Sequence, residues 1–394
     1  MPKKKKECPG KEKYLRGKRI LPRPISRTTD IVSLIDNMDA YNGGRLRAAC
    51  HLLRDKYSKS DVTVGLSLAG AMTPAGMGPS AIIPLMNHGY IDWMVATGAN
   101  MYHDLHFAFN LPMFRGSHTV DDADLRRKGV TRIYDILFDY EDVLMETDRR
   151  LRRILVRPEF QKEMGTREFY HLLGRVMDEW ERRNRTGQVS IVAAAYRNDV
   201  PVFTSSPGDS TIGMNVAGIE LLAGAAGLRN RFRLKINPSI DVNESTAIIL
   251  NAKRTEKGKT AVILVGGGSP KNFMLQTEPQ IQEVLMIPEL GQDYDINITD
   301  ARPDTGGLSG ASPSEAASWG KIDPDKIEES VTAYVDSTVA LPLLTAYVLR
   351  SAKKKKLKRL YKRGPELYRG LIKAYLENNR EIGDLKRLIG KLPE

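Results

Sequence analysis

Thr260–Gly268 reads TAVILVGGG, and this stretch decides the fold. Its aliphatic and β-branched residues run without polar interruption over strand length, as in a strand buried on both faces of a parallel sheet. Gly266, Gly267 and Gly268 follow at once, where the chain must turn and where a backbone can approach another group closely. SPKNF then opens a helix, with Pro270 suited to a first turn.

The same unit recurs on either side. VTVGLSLAG (62–70) is a second buried strand, ending in GAMTPAGMG (70–78) before a helix from Pro79 through Leu85. A strand, a glycine-rich turn and a helix start can hold a phosphate on backbone N–H groups. Gly70, Gly76 and Gly78 do not follow the GxGxxG spacing, so a plain βα turn is the alternative. YIDWMVA (90–96) forms another strand, followed by Thr97-Gly98-Ala99-Asn100 and the segment MYHDLHFAF. His103 and Asp104 begin that segment, at a strand end where loop residues meet ligands. His106 lies one helical turn from His103, but no third ligand is near in sequence, and no metal site is expected.

Upstream of these units, Thr29-Asp30 caps a helix carrying Ile31, Leu34, Ile35 and Met38, and a second amphipathic helix follows Gly43-Gly44. Residues 115–200 read as mainly helical and structural. Val202-Phe203 is a short strand, and SSPGDSTIGMNVAG (205–218) leads into an apolar helix ending at Gly227. Asp209 in this turn suits either helix capping or a hydrogen bond to a ribose hydroxyl or an amine. Asn237–Asn251 is a helix, while Asp295–Ile298 and SVTAYV (330–335) are further strands, the latter leading into Asp336-Ser337-Thr338 and a helix through Leu349. Strands that alternate with helices and end in small or acidic residues predict an α/β fold. It is a doubly wound, mostly parallel sheet of about six or seven strands, with helices on both faces and a ligand crevice along the strand C-termini.

The 394 residues suffice for one large α/β domain, and no apolar run is long enough to cross a bilayer. The start, MPKKKKECPGKEK, is charged and not followed by an apolar segment, so it is not a secretory signal. Two cysteines, Cys8 and Cys50, without CxxC or a Cys/His cluster, point to a reducing, cytoplasmic setting and no structural zinc. The net charge of +12 gathers in the first residues and in SAKKKKLKRLYK (351–362). These blocks read as solvated, and no nucleic-acid-binding motif accompanies them, so the basic charge is not taken for a nucleic-acid site. The chain divides into a basic extension (1–27), one domain (28–350) and a basic helical tail (351–394).

One stretch interrupts the regular pattern: TDARPDTGGLSGASPSEAASWGK (299–321), which delivers Lys321 directly after Trp319 and Gly320. A lysine held against an indole without its water shell loses proton affinity, and a neutral amine attacks imines and carbonyls. Glu315 can anchor a cationic substrate beside it. The plain alternative is a solvated lysine after a glycine turn.

With these segments in place, the chain resembles the deoxyhypusine synthase family from about residue 28 to residue 350. SGASPSEAASWGKI (309–322) is similar to the family's block around its catalytic lysine, a role that falls on Lys321. The resemblance implies NAD held by Gly70, Ala71, Met72, Thr73 and Pro74, by Thr97, Gly98 and Ala99, and by Asp209, Gly267, Asp300, Asp336 and Ser337. It implies a polyamine site of Glu315, Trp319, His103, Gly306 and Asn272, and no metal. The implied activity is that of an alkyl-group transferase: NAD takes a hydride from spermidine, diaminopropane leaves, and the butyl-imine passes through Lys321 to an acceptor amine. That acceptor is a lysine of an acidic or other protein, or a free diamine such as putrescine, as in a homospermidine synthase. The resemblance also implies a homotetramer with sites between subunits. Where eukaryotic members carry an acidic pair, an aspartate, a histidine and another aspartate, this chain has Tyr102 and His103, Met214, Asn272 and Leu308, so a different donor or acceptor is open. Two other classes compete: a non-catalytic NAD- or RNA-binding relative, and a pyridoxal-phosphate enzyme using the same lysine.

Overall fold

The computed structural model describes residues 14–15, 17, 19–21 and 23–392; the lysine-rich start through residue 13, with Cys8, lies outside them. Six strands build the main sheet: β1 (Val62–Leu68), β2 (Trp93–Ala96), β3 (Val202–Thr204), β4 (Lys259–Val265), β5 (Tyr294–Thr299) and β6 (Ser330–Tyr334). All pair in parallel, in the spatial order β3-β2-β1-β4-β5-β6. The chain winds outward from β1, returns to the centre as β4 and winds the other way. The tips of β1 and β4 therefore flank the point where doubly wound sheets bind ligands. Register fixes this: Val62–Leu68 lies beside Lys259–Val265 residue for residue, so Gly70 and Gly266 leave the sheet close together.

Side chains alternate strictly between two layers. Val64, Leu66, Ile263, Val265, Ile296 and Ile298 join one core, and Trp93, Val95, Phe203, Val262 and Leu264 join the other. Gly65 is the exception inside β1: a Cβ there would stand 2.7 Å from the indole of Trp93, which fills that space from the neighbouring strand. Helices α1 (Gly98–Ala108), α2 (Thr166–Asn184), α3 (Ile191–Asn198), α4 (Thr211–Ala225), α5 (Pro238–Leu250), α6 (Gly268–Leu275), α7 (Pro313–Ser318), α8 (Ser337–Ser351) and α9 (Leu360–Asn378) follow. Helices α3 and α8 bury Val192, Leu341 and Leu344 against the first layer, while α5, α6 and α9 bury Ile249, Met274, Leu360 and Leu367 against the second.

Three local details go beyond or against the expectations. Residues 115–200 are mainly helical, and in addition Phe114–Arg115, Val130–Ile133 and Ile136–Asp139 form a small antiparallel sheet turned at Tyr134, which sits at φ 52°. These strands are short and mostly half-buried, so apolar alternation barely marks them. The second strand starts at Trp93 and not at Tyr90, because the Asp92 side chain, not its neighbours' ladder, takes the Val64 N–H at 2.9 Å. The lysine run after Ser351 is extended before α9 and not uniformly solvated. Lys355 is buried and its Nζ donates to Asp92 at 3.0 Å and to the Val62 carbonyl at 2.6 Å, pinning the chain to the sheet's N-terminal edge. Burial lowers the pKa of Lys355, and Asp92 opposes the shift.

Candidate functional site

The loops at the C-terminal edge of the sheet are tied to one another. Asn100, in the first turn of α1, accepts from the N–H groups of Met72 at 2.7 Å and Thr73 at 3.2 Å, and donates to the Gly70 carbonyl at 3.0 Å. Thr97 donates to the same Gly70 carbonyl at 2.6 Å, and Thr73 to the Asn100 carbonyl at 2.9 Å. The turn Gly70–Pro74 is thus stitched to Thr97–Ala99. A Cβ on Gly98 would lie 2.3 Å from the Cβ of Ser210, so the Asp209 turn packs against the same point. Ser210 caps α4 through the Gly213 N–H, which leaves Asp209 exposed beside the crevice rather than spent on the helix. Ser269 at the start of α6 donates to Ser205 at 2.8 Å, which joins the β3 and β4 loops. Asp300 is exposed just past β5. Asp336 accepts from the Thr338 N–H at 2.8 Å, directly before Ser337 opens α8. All the residues expected to hold a dinucleotide therefore lie along one edge.

The close approach foreseen at the three glycines is met by the chain itself at Gly267. A Cβ there would stand 2.2 Å from the Cα of Ser309, so the strap after β5 folds directly over the tip of β4. Gly70 and Gly268, at φ +62° and +58°, have nothing within 4 Å of a Cβ position and stay open to a ligand.

The strap then forms α7, an element not expected in a glycine- and serine-rich stretch. Ser312 caps it by accepting from the Glu315 N–H, with Pro313 in its first turn. Trp319 ends α7, and Gly320 reverses the chain at φ +64°. Lys321 is held by its backbone, its N–H donating to the Ala316 carbonyl and its carbonyl accepting from the Gln292 N–H, both at 3.0 Å. Gln282 donates to the Gly320 carbonyl at 2.8 Å from behind.

The Lys321 side chain is half-buried. Its Nζ donates to Asn272 Oδ1 at 3.0 Å and lies 5.6 Å from the Trp319 ring centroid, with the indole itself largely exposed. Burial lowers its pKa, and Glu315 and Glu283 pull the other way. It faces a cavity of about 320 Å³ walled by Asn272, Leu275, Leu308, Ala311, Glu315, Ala316 and Trp319, with Lys271 beside it. The site thus joins a half-buried amine, an aromatic face and one carboxylate, and the last two are groups that a cationic alkylamine needs.

Lys321, Glu315, Trp319 and Asn272 are brought together; His103 and Gly306 are not among the lining residues. Gly306 ends an exposed turn at φ +71°. His103 lies on α1, its Nδ1 3.0 Å from His106 Nε2, and burial pushes its pKa down to about 4. Asp104 is fully buried and accepts from Ser190 Oγ and from the Ile191 and Val192 N–H groups at the start of α3, a structural role. Sequence reasoning missed Asn100, Gln282 and Lys271. Asn100 was legible as the polar residue closing the TGAN turn and Lys271 as the neighbour of Asn272, whereas Gln282 carries no sequence signal. Among the described residues no His, Cys, Asp and Glu cluster suits a metal ion, and no helix is long and apolar enough to cross a membrane.

Fold and site together define a doubly wound α/β protein with a half-buried lysine set beside the ligand edge of its sheet. A sequence model of deoxyhypusine synthase matches residues 30–348. The chain belongs to the deoxyhypusine synthase family. A deoxyhypusine synthase-like protein of Nostoc sp. is 53% identical over 361 residues, 91% of this chain and 92% of that one. A protein of Methanosarcina acetivorans named probable deoxyhypusine synthase 2 is 36% identical over 325 residues, 81% of this chain and 86% of its own. A crystallised deoxyhypusine synthase candidate from Entamoeba histolytica shares the fold at a TM-score of 0.50 and 13% identity, covering 84% of this chain and 97% of that one.

Proposed function

We propose that the protein is an NAD-dependent aminobutyl transferase, in which Lys321 carries a four-carbon imine from a polyamine donor to an acceptor amine. The observation that carries this reading is the Lys321 amine itself: half-buried, hydrogen-bonded to the neutral Asn272, its pKa lowered by burial, and facing a cavity with an indole and a carboxylate. Glu315 is assigned to the distal ammonium of the substrate, and Trp319 to the alkyl chain, which an indole face shelters from water.

The strand-tip loops fit a dinucleotide. Gly70 and Gly268 leave room for a close backbone approach, and the carboxylate of Asp209 is exposed at the same edge. Gly70–Pro74 and Thr97–Ala99 would hold the cofactor's phosphates and sugars, with Asp209, Asp300 and Ser337 available to its hydroxyls, whereas Gly267 is covered by Ser309 and one oxygen of Asp336 is spent on capping α8. When bound, NAD supplies a hydride acceptor that later returns the hydride. The loops' task is orientation, and that of the strap over β4 is to keep water from the imine, which water would hydrolyse.

Met214, Leu221 and Leu222 on α4 are 66%, 76% and 66% exposed. An apolar helix face of this kind is normally covered, which supports assembly with further copies of the chain, as in the homotetramer the family resemblance implies. Leu308 lines the cavity where eukaryotic members of the family carry an aspartate, and the assay below separates a free diamine, which brings two positive charges, from a protein lysine, which brings one.

Incubation with NAD and spermidine, with and without putrescine, tests the reading by the release of diaminopropane. Release that is abolished in Lys321→Ala, with homospermidine formed when putrescine is present, is the expected result. No release with spermidine, and no turnover of putrescine or agmatine, refutes it.

A further inference from the structure

Passing an imine from one amine to another needs a proton to move between the two nitrogens. The residue bonded to Lys321 cannot move it, because Asn272 ends in an amide. Of the side chains that line the cavity, three can ionise: Lys321, the exposed Glu315 and Lys271. Lys271 is 5% exposed, on the first turns of α6. Its Nζ makes one hydrogen bond among the described residues, to the Ala311 carbonyl at 2.9 Å. An ammonium has three donors, so a single acceptor in a buried setting suits the neutral amine better.

We infer that Lys271 is a second catalytic lysine, the proton shuttle for imine exchange at Lys321. The inference rests on the reading of Lys321 as the imine carrier. In the step, the neutral Lys321 amine bonds to the carbon of the protonated imine, and the π pair moves to the substrate nitrogen, which becomes a neutral amine. The attacking nitrogen now carries one proton too many. Lys271 takes that proton and delivers it to the substrate nitrogen. That nitrogen leaves with its bonding pair, while the Lys321 lone pair forms the new C=N bond. Lys271 ends as it began, and neither protons nor electrons are gained or lost.

The charged groups around Lys271 come from three elements. Asp295, fully buried on β5, and Glu315 on α7 favour its charged form; Lys321 disfavours it, and burial outweighs them all, lowering its pKa. One oxygen of Asp295 has no hydrogen-bond partner among the described residues, and burial pushes its pKa up to about 7. A lysine whose charged form burial disfavours, beside a carboxyl group whose charged form burial also disfavours, is suited to passing a proton.

The test needs no cofactor. The full chain is incubated with butanal, the Lys321 imine is then chased with putrescine, and samples are quenched with borohydride and read by mass for the adduct remaining on Lys321. In Lys271→Met, exchange should slow by about 100-fold, the range of general acid–base catalysis, and recover partly with added imidazole. Lys271→Arg, which keeps a donor for Ala311 but does not release a proton, should be equally slow. Formation of the adduct at long times in both variants shows that the site is folded. Exchange at the native rate in either variant, or slow exchange that imidazole leaves unchanged, overturns the inference while leaving Lys321 as the carrier. If the native protein forms no adduct on Lys321, the functional reading falls and this inference with it.

Discussion

Gly320→Ala tests how the nucleophile is presented. Gly320 lies at φ +64°, and a Cβ there would meet Gln282 Oε1 at 2.4 Å. The backbone conformation alone costs an alanine about 1–2 kcal/mol. Gln282 is flexible at its end and can swing aside, but it then gives up its 2.8 Å bond to the Gly320 carbonyl, a loss of about 1 kcal/mol. The substitution should therefore destabilise the protein by about 2–3 kcal/mol in urea unfolding. In a Gln282→Ala background the bond and the clash are already gone, so the same change should cost only about 1–2 kcal/mol. Labelling of Lys321 by butanal should fall with the first variant, because its N–H and carbonyl anchor the same turn. A cost below about 0.5 kcal/mol, or an equal cost in both backgrounds, contradicts the assigned role of Gln282.

Gly267→Ala meets the backbone of Ser309 at 2.2 Å rather than a movable side chain. It should displace the strap, read as faster proteolysis within residues 301–312. Lys355→Met leaves the Asp92 charge buried without its partner, and a loss of about 3–5 kcal/mol is expected; a loss under about 1 kcal/mol rules out the pinning role. Burial pushes the pKa of His103 down to about 4 and that of His106 to about 3, from 6.5 in the unfolded chain. Between these values the unfolded state binds more protons, so their contribution is complete above pH 6.5 and lost as the pH falls through 4. The urea midpoint should drop over this window, and less steeply in His106→Gln; parallel pH profiles would falsify the assignment.

The sheet was legible because five of its six strands are buried on both faces and the strands end in small or acidic residues. TAVILVGGG and VTVGLSLAG need no partner to be recognised, and their pairing follows from the winding order. The hairpin around Tyr134 was not legible, since half-exposed strands of two to four residues carry too little apolar contrast. Lys355 was hidden for the opposite reason. One buried lysine within a run of four looks like its neighbours, and only Asp92, 263 positions away, distinguishes it. At the site, Lys321, Glu315 and Trp319 could be named because they share one stretch, and Asn272 through the family resemblance. Lys271 and Gln282 act across elements, and their geometry exists only once the strap has folded over β4.

The most direct measurement of the central claim is mass analysis of the full chain after incubation with NAD and spermidine and reduction with borohydride. The account predicts a butylamine adduct on Lys321, absent without NAD. An adduct confined to another lysine, or none at all with spermidine, putrescine or agmatine, contradicts it.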